Sequence, residues 1–219
     1  MFVRMKKAEL FEHVIKYFEA NQPDAATELH YGNPFELLVA VVLSAQCTDK
    51  RVNMTTPALF KAFPDAESMS HASIDEVREY IKSISYPNSK AGYLVNGSKV
   101  LMEKFNGAVP STVDELTTIP GVGRKTAHVI ASVVFNQPKM AVDTHVQRVS
   151  ARIGLTTNAK NPLQTELQLV KYIPEKKIAL AHHWLILHGR YVCLARNPKC
   201  DKCGLTKWCK YYNTKLTGK

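Results

Sequence analysis

The sequence predicts an all-α protein. Apolar residues recur at helical spacing, N-cap signatures recur along the chain, and no stretch shows the alternation of a half-buried strand. Roughly ten helices joined by loops of ~2–8 residues account for the length.

Taken in order, Leu10, Phe11, Val14, Ile15 and Phe18 make one apolar stripe in the first segment. Asn33-Pro34-Phe35-Glu36 reads as an N-cap, a proline at the first helical position and a glutamate at the third. The apolar run at 39–43 could be a strand by periodicity, but the cap before it argues helix. Ser73-Ile74-Asp75-Glu76 and Thr112-Val113-Asp114-Glu115 are capping boxes, and the second starts the first helix of a hairpin. Asn161-Pro162-Leu163-Gln164 repeats the device, and Gly189 is expected to end the helix holding Trp184 and Leu187. No internal repeat, low-complexity segment or linker is visible, so any two domains must pack closely.

With 219 residues and 45% hydrophobic content the chain can bury one core or two small ones. No apolar run is long enough to span a bilayer. The start, MFVRMKKAELF, lacks an apolar secretory core, so a cytoplasmic protein is expected. Against 19 acidic residues stand 29 basic ones, a formal charge of +10 that points to a polyanionic partner without separating DNA, RNA and a membrane surface.

Two stretches carry the chemistry. In Ile119-Pro120-Gly121-Val122-Gly123-Arg124-Lys125, the glycines allow backbone N–H groups to converge, and the helix that follows adds its positive end. Together they suit a phosphate. Lys125 lies on that helix's first turn, where the dipole disfavours a positive charge and favours a nucleophilic amine. By itself, a G-x-G beside a lysine is more often an exposed hairpin with a surface charge. Second, Cys193, Cys200, Cys203 and Cys209 fall in a C-x6-C-x2-C-x5-C pattern. Four thiolates this close suit zinc or an iron–sulfur cluster, and spacing alone leaves the choice open. A basic collar surrounds them: Arg190, Arg196, Lys199, Lys202, Lys207 and Lys210. The remaining Cys47 reads as a packed thiol.

The run from Ile119 to Ala127, the later Ala141-Val142-Asp143-Thr144-His145 and the cysteine spacing resemble the helix–hairpin–helix DNA glycosylases, and among them the endonuclease III family. The resemblance implies a six-helix barrel domain at 27–137 and an iron–sulfur cluster domain formed by 1–26 and 138–219, with the active site in the cleft between them. It makes Lys125 the nucleophile, Asp143 its catalytic partner and the four cysteines ligands of a [4Fe–4S] cluster. Such a cluster would lower the formal charge to about +8. DNA binding would fall to Gly121, Val122 and Gly123 in the hairpin and to Gln46 in the Leu43-Ser44-Ala45-Gln46-Cys47-Thr48-Asp49 stretch. There the family fills the gap left by a flipped base, with Asp49 lining the site.

Ser85-Tyr86-Pro87-Asn88-Ser89-Lys90-Ala91 departs from the family. Tyr86 stands at the usual aliphatic wedge, where it could stack beside bases or pack on its own helix. Asp143 also reads as an N-cap, His145 as a packing residue near the site, and the adjacent His182 and His183 face different ways on a helix.

The implied activity is a bifunctional DNA glycosylase/AP lyase acting on oxidised pyrimidines in double-stranded DNA, in a nucleoid-associated monomer. Two other readings stay open: a monofunctional relative, although adenine glycosylases lack a lysine at the 125 position, and a non-catalytic iron–sulfur DNA-binding or redox-sensing module.

Overall fold

The computed structural model describes residues 5–216, which are all-α, with no strand among them. Residues 1–4 and 217–219, which the sequence assigns to the discontinuous domain, lie outside the described residues. The α-helices in chain order are α1 (Lys7–Asn21), α2 (Pro34–Ser44), α3 (Asp49–Ala62), α4 (Ala66–His71), α5 (Ile74–Ile81), α6 (Pro87–Phe105), α7 (Val113–Leu116), α8 (Arg124–Phe135), α9 (Thr144–Ile153), α10 (Pro162–Val170) and α11 (Ile178–Tyr191). They divide into two compact units, Glu28–Gln137 and Met1–Thr27 with Pro138–Lys219.

The unit from Glu28 to Gln137 is organised around α2. Every residue from Leu37 to Leu43 on it is buried, as is Phe35. A helix that is apolar all round has to sit in the middle of other helices, and α3, α6 and α8 pack against it. The cap settles helix over strand for 39–43. Asn33 accepts from the Glu36 N–H at 2.9 Å, and Pro34 occupies the first turn. The Glu36 carboxylate reaches one residue further back than the capping-box pattern implies, accepting from the Gly32 N–H at 2.6 Å. A reciprocal box forms at Ser73 and Glu76, ahead of α5. Both α4 and α5 then pack against the long helix α6.

In the other unit, the stripe on α1 buries Phe11, Val14, Ile15 and Phe18. Phe18 stacks on Trp184 of α11 with ring centroids 5.6 Å apart, and the Trp184 indole N–H donates to the Gln22 carbonyl at 2.7 Å. Helix α11 lies against α9.

One sequence expectation is overturned here. Gly189 does not end the helix that holds Trp184, because α11 continues through it to Tyr191. It is the contact point with α9: a Cβ at 189 would stand 2.8 Å from His145 Cβ and 3.0 Å from Val149 Cγ2. An interior glycine costs a helix about 0.5–1 kcal/mol relative to alanine. At this position it lets two helix backbones approach more closely than any side chain would allow.

Candidate functional site

The hairpin joins α7 to α8. Thr112 caps α7 by accepting from the Glu115 N–H at 3.2 Å, and the turn after it closes when the Val122 N–H donates to the Ile119 carbonyl at 3.0 Å. Gly121 has a φ of +83°, in the left-handed region, and a Cβ there would stand 2.7 Å from Tyr93 Cβ. Both facts demand glycine. The three hairpin residues divide their roles. Val122 is buried in the core with its N–H used inside the turn, while Gly121 and Gly123 are exposed. Tyr93 and residues 117–123 line an open groove. Gly123 is the N-cap of α8 and supplies no capping side chain to its first turn. The second residue of that helix is Lys125, which is exposed.

Gln46 and Tyr86 share a second site in the same unit. Both are exposed and both have left-handed backbones, with φ of 54° and 57°. Tyr86 is 62% exposed, so its ring is not packed away against its own helix. The two turns are tied: the Ser85 hydroxyl donates to the Gln46 carbonyl at 2.9 Å. Beneath them lies Lys90, 4% exposed, whose ammonium donates to the Leu43 carbonyl at 2.8 Å and the Ala45 carbonyl at 2.6 Å. Burial pulls the Lys90 pKa down, and nearby Cys47 pulls it the other way. Cys47 is half-buried against the core, as a packed thiol would be, and Asp49 is half-buried at the start of α3.

Asp143 is the N-cap of α9, its carboxylate accepting from the Val146 N–H at 2.8 Å. The same helix carries two arginines that sequence reasoning missed. Arg148 donates to the carbonyls of Gly189 (2.8 Å) and Cys193 (3.1 Å), and approaches His145 Nδ1 at 3.2 Å. Arg152 donates to the carbonyls of Leu194 (2.6 Å) and Ala195 (2.8 Å), with its guanidinium 4.6 Å from the centre of the Tyr211 ring. At i and i+4 they share one face, and the cysteine loop hangs from that face. The spacing was visible in the sequence; the main-chain acceptors were not.

Cys193, Cys200, Cys203 and Cys209 line one largely apolar cavity with Arg152, His188 and Leu205. None of the four is paired in a disulfide. Burial pushes the Cys203 thiol up to about 11, with the other three cysteines adding to the rise, and Cys200 and Cys209 shift the same way. Left alone, such thiols stay protonated; a cationic centre would draw out the thiolates. Among the described residues, no three His, Cys, Asp or Glu side chains are grouped so as to hold a single metal ion. His188, buried beside Cys203, brings Nε2 to 3.6 Å from its sulfur.

Comparison with known proteins identifies relatives of the whole chain. Residues 39–175 match the model of the HhH-GPD superfamily base excision DNA repair proteins. The chain is 45% identical over 213 residues to endonuclease III of Rickettsia felis, covering 97% of this chain and 100% of that one. Its identity to endonuclease III of Escherichia coli K12 is 42% over 207 residues, or 94% and 97% of the two chains. A solved structure of a trapped endonuclease III–DNA covalent intermediate superposes with a TM-score of 0.91 at 40% identity, covering 97% of this chain and 100% of that one.

Proposed function

The chain belongs to the HhH-GPD superfamily of base excision DNA repair proteins and is a DNA glycosylase/AP lyase of the endonuclease III type; from that premise we propose how its residues divide the work. Its substrate is an oxidised pyrimidine in double-stranded DNA, and the observation that carries the mechanism is Lys125, an exposed amine on the first turn of α8 directly behind the two outward-facing glycines.

The damaged nucleotide leaves the stack, at a cost lowered wherever its pairing is already weak. Gly121 and Gly123 hold a neighbouring phosphate, Gln46 fills the gap in the duplex and Tyr86 stacks beside it. The neutral Lys125 amine adds to C1′ as the C1′–N bond to the base breaks. Asp143 activates the amine and stabilises positive charge on the sugar as the base departs. The C1′–O4′ bond then opens, O4′ taking up a proton, as the lysine nitrogen forms the C1′=N bond of a Schiff base, and this makes the C2′ proton acidic. Its loss expels the 3′ phosphate by β-elimination and cuts the strand 3′ to the abasic sugar.

Glu28–Gln137 acts as the six-helix barrel domain with the hairpin, and the other unit as the cluster domain. The four cysteines line one cavity and suit a [4Fe–4S] cluster, the group that the likeness to the endonuclease III family implies. When bound, the cluster supplies structural cross-linking of the loop. The exposed Arg196, Lys199, Lys202, Lys207 and Lys210 around it track the DNA backbone. The protein acts as a monomer, and none of its described helices is long and apolar enough to cross a membrane.

Borohydride trapping tests the nucleophile. Wild-type protein should become covalently attached to an abasic oligonucleotide on reduction, and Lys125→Gln should bind DNA without being trapped. Equal trapping of the variant would remove Lys125 from the mechanism.

A further inference from the structure

Lys90 has no place in the chemistry above, yet among the described residues it is the only buried Lys, Arg, Asp or Glu. Burying an ammonium is costly unless its hydrogen bonds are met. Here main-chain carbonyls meet two of its three donors, at Leu43 and Ala45, where α2 ends and the negative end of its dipole favours a cation.

The same residue reaches the second turn through its backbone. Its N–H donates to the Tyr86 carbonyl at 3.1 Å, the first hydrogen bond of α6. Ser85 closes the circuit with its bond to the Gln46 carbonyl. Two exposed residues in strained left-handed conformations, 40 positions apart in the chain, are therefore held by one buried side chain and one hydroxyl. Neither turn has to be ordered at the moment DNA arrives, which is how a rigid contact saves binding free energy.

We propose that Lys90, assisted by Ser85, is a positioning residue that presents Gln46 and Tyr86 to duplex DNA as one preformed pair. This rests on the reading that those two side chains enter the duplex. It adds the prediction that their placement depends on an ammonium that never touches DNA.

The test compares single-turnover cleavage, at saturating enzyme, of an abasic site in a duplex and in the same strand alone. A single strand has no gap to fill, so the ratio of the two rates isolates the pair from the Lys125 chemistry. Lys90→Met keeps the apolar stem and removes both hydrogen bonds. It should lower the duplex-to-single-strand ratio about tenfold, and Ser85→Ala should lower it about threefold. Gln46→Ala should lower it too, and adding Lys90→Met to Gln46→Ala should change it little further, as for residues acting through one element.

An unchanged ratio for Lys90→Met and Ser85→Ala while Gln46→Ala lowers it, or full additivity of the Lys90 and Gln46 changes, would overturn the positioning role alone. A wild-type ratio for Gln46→Ala would instead overturn the reading of Gln46 as a duplex contact, and the proposal with it. If Lys90→Met fails to fold by circular dichroism, Ser85→Ala decides: a lowered ratio supports the linkage and an unchanged one refutes it.

Discussion

Substituting Gly189 by alanine adds one methyl group where α9 and α11 meet. The new Cβ would stand 2.8 Å from His145 Cβ and 3.0 Å from Val149 Cγ2. Carbon atoms rest at about 3.5–4.0 Å, so the His145 contact falls short by about 0.7 Å or more. His145 Cβ is fixed to its backbone and cannot swing away, so the helices themselves must part. Overpacking of this kind costs about 1–3 kcal/mol, against which the better helix propensity of alanine returns about 1 kcal/mol. Parting the helices also stretches the Arg148 bond to the Gly189 carbonyl, now 2.8 Å, at a further ~1 kcal/mol. The expected net loss is ~1–3 kcal/mol, and each kcal/mol lowers the Tm by about 2–4 °C in a chain of this size. Thermal unfolding followed by far-UV circular dichroism measures it. A Tm equal to or above wild type would mean that propensity wins and that the close approach of α9 and α11 is not what requires a glycine.

Asp143→Asn should slow base release by about 10²-fold or more, while stability holds because asparagine caps a helix as well as aspartate. Single-turnover kinetics with a parallel melt separate the roles; an unfolded variant, or a wild-type rate, would leave the carboxylate as a cap only. Cys200→Ser should lower stability and DNA affinity, yet at matched DNA occupancy its single-turnover rate should stay near wild type. Anaerobically prepared wild-type protein should contain about four irons with little zinc, and one tightly held zinc would refute the cluster. Burial lowers the His183 pKa from 6.5 to about 4, so the unfolded chain takes up the proton first. Stability is then full above about pH 6.5 and falls as the pH drops toward 4, by up to about 3 kcal/mol from this residue. His183→Gln should flatten that slope in urea titrations, and an unaltered slope would show that His183 does not contribute to it.

Much of the fold was legible because helix starts are local. Asn33, Ser73, Thr112 and Asn161 each cap an amide three residues on, although at Thr112 the expected box is not reciprocal, because the Glu115 carboxylate takes the Thr112 hydroxyl at 2.6 Å. The cysteine set was legible for the same reason, since its members sit within a few turns of chain. Gly189 was misread because a glycine after an apolar run signals a stop, and only the approach of another helix shows why it lies mid-helix. Lys90 reads as one more surface charge until its distant acceptors are seen. Arg148 and Arg152 look like the solvated face of α9, because the carbonyls they hold come from a loop some forty residues later. Side chains that bond to remote main chain leave no pattern in composition or spacing.

The two arginines also put α9 under a constraint of phase. One end of the helix is fixed by the Asp143 cap, and the face near its other end by the cysteine loop. Each residue added to an α-helix turns everything beyond it by about 100° and shifts it by about 1.5 Å. A single insertion or deletion between Asp143 and Arg152 would therefore rotate the carboxylate out of register with the loop, although every interaction at either end could still form by itself. Length variation should thus be confined to the loops around α9, with the count from Asp143 to Arg152 held fixed wherever both ends are kept.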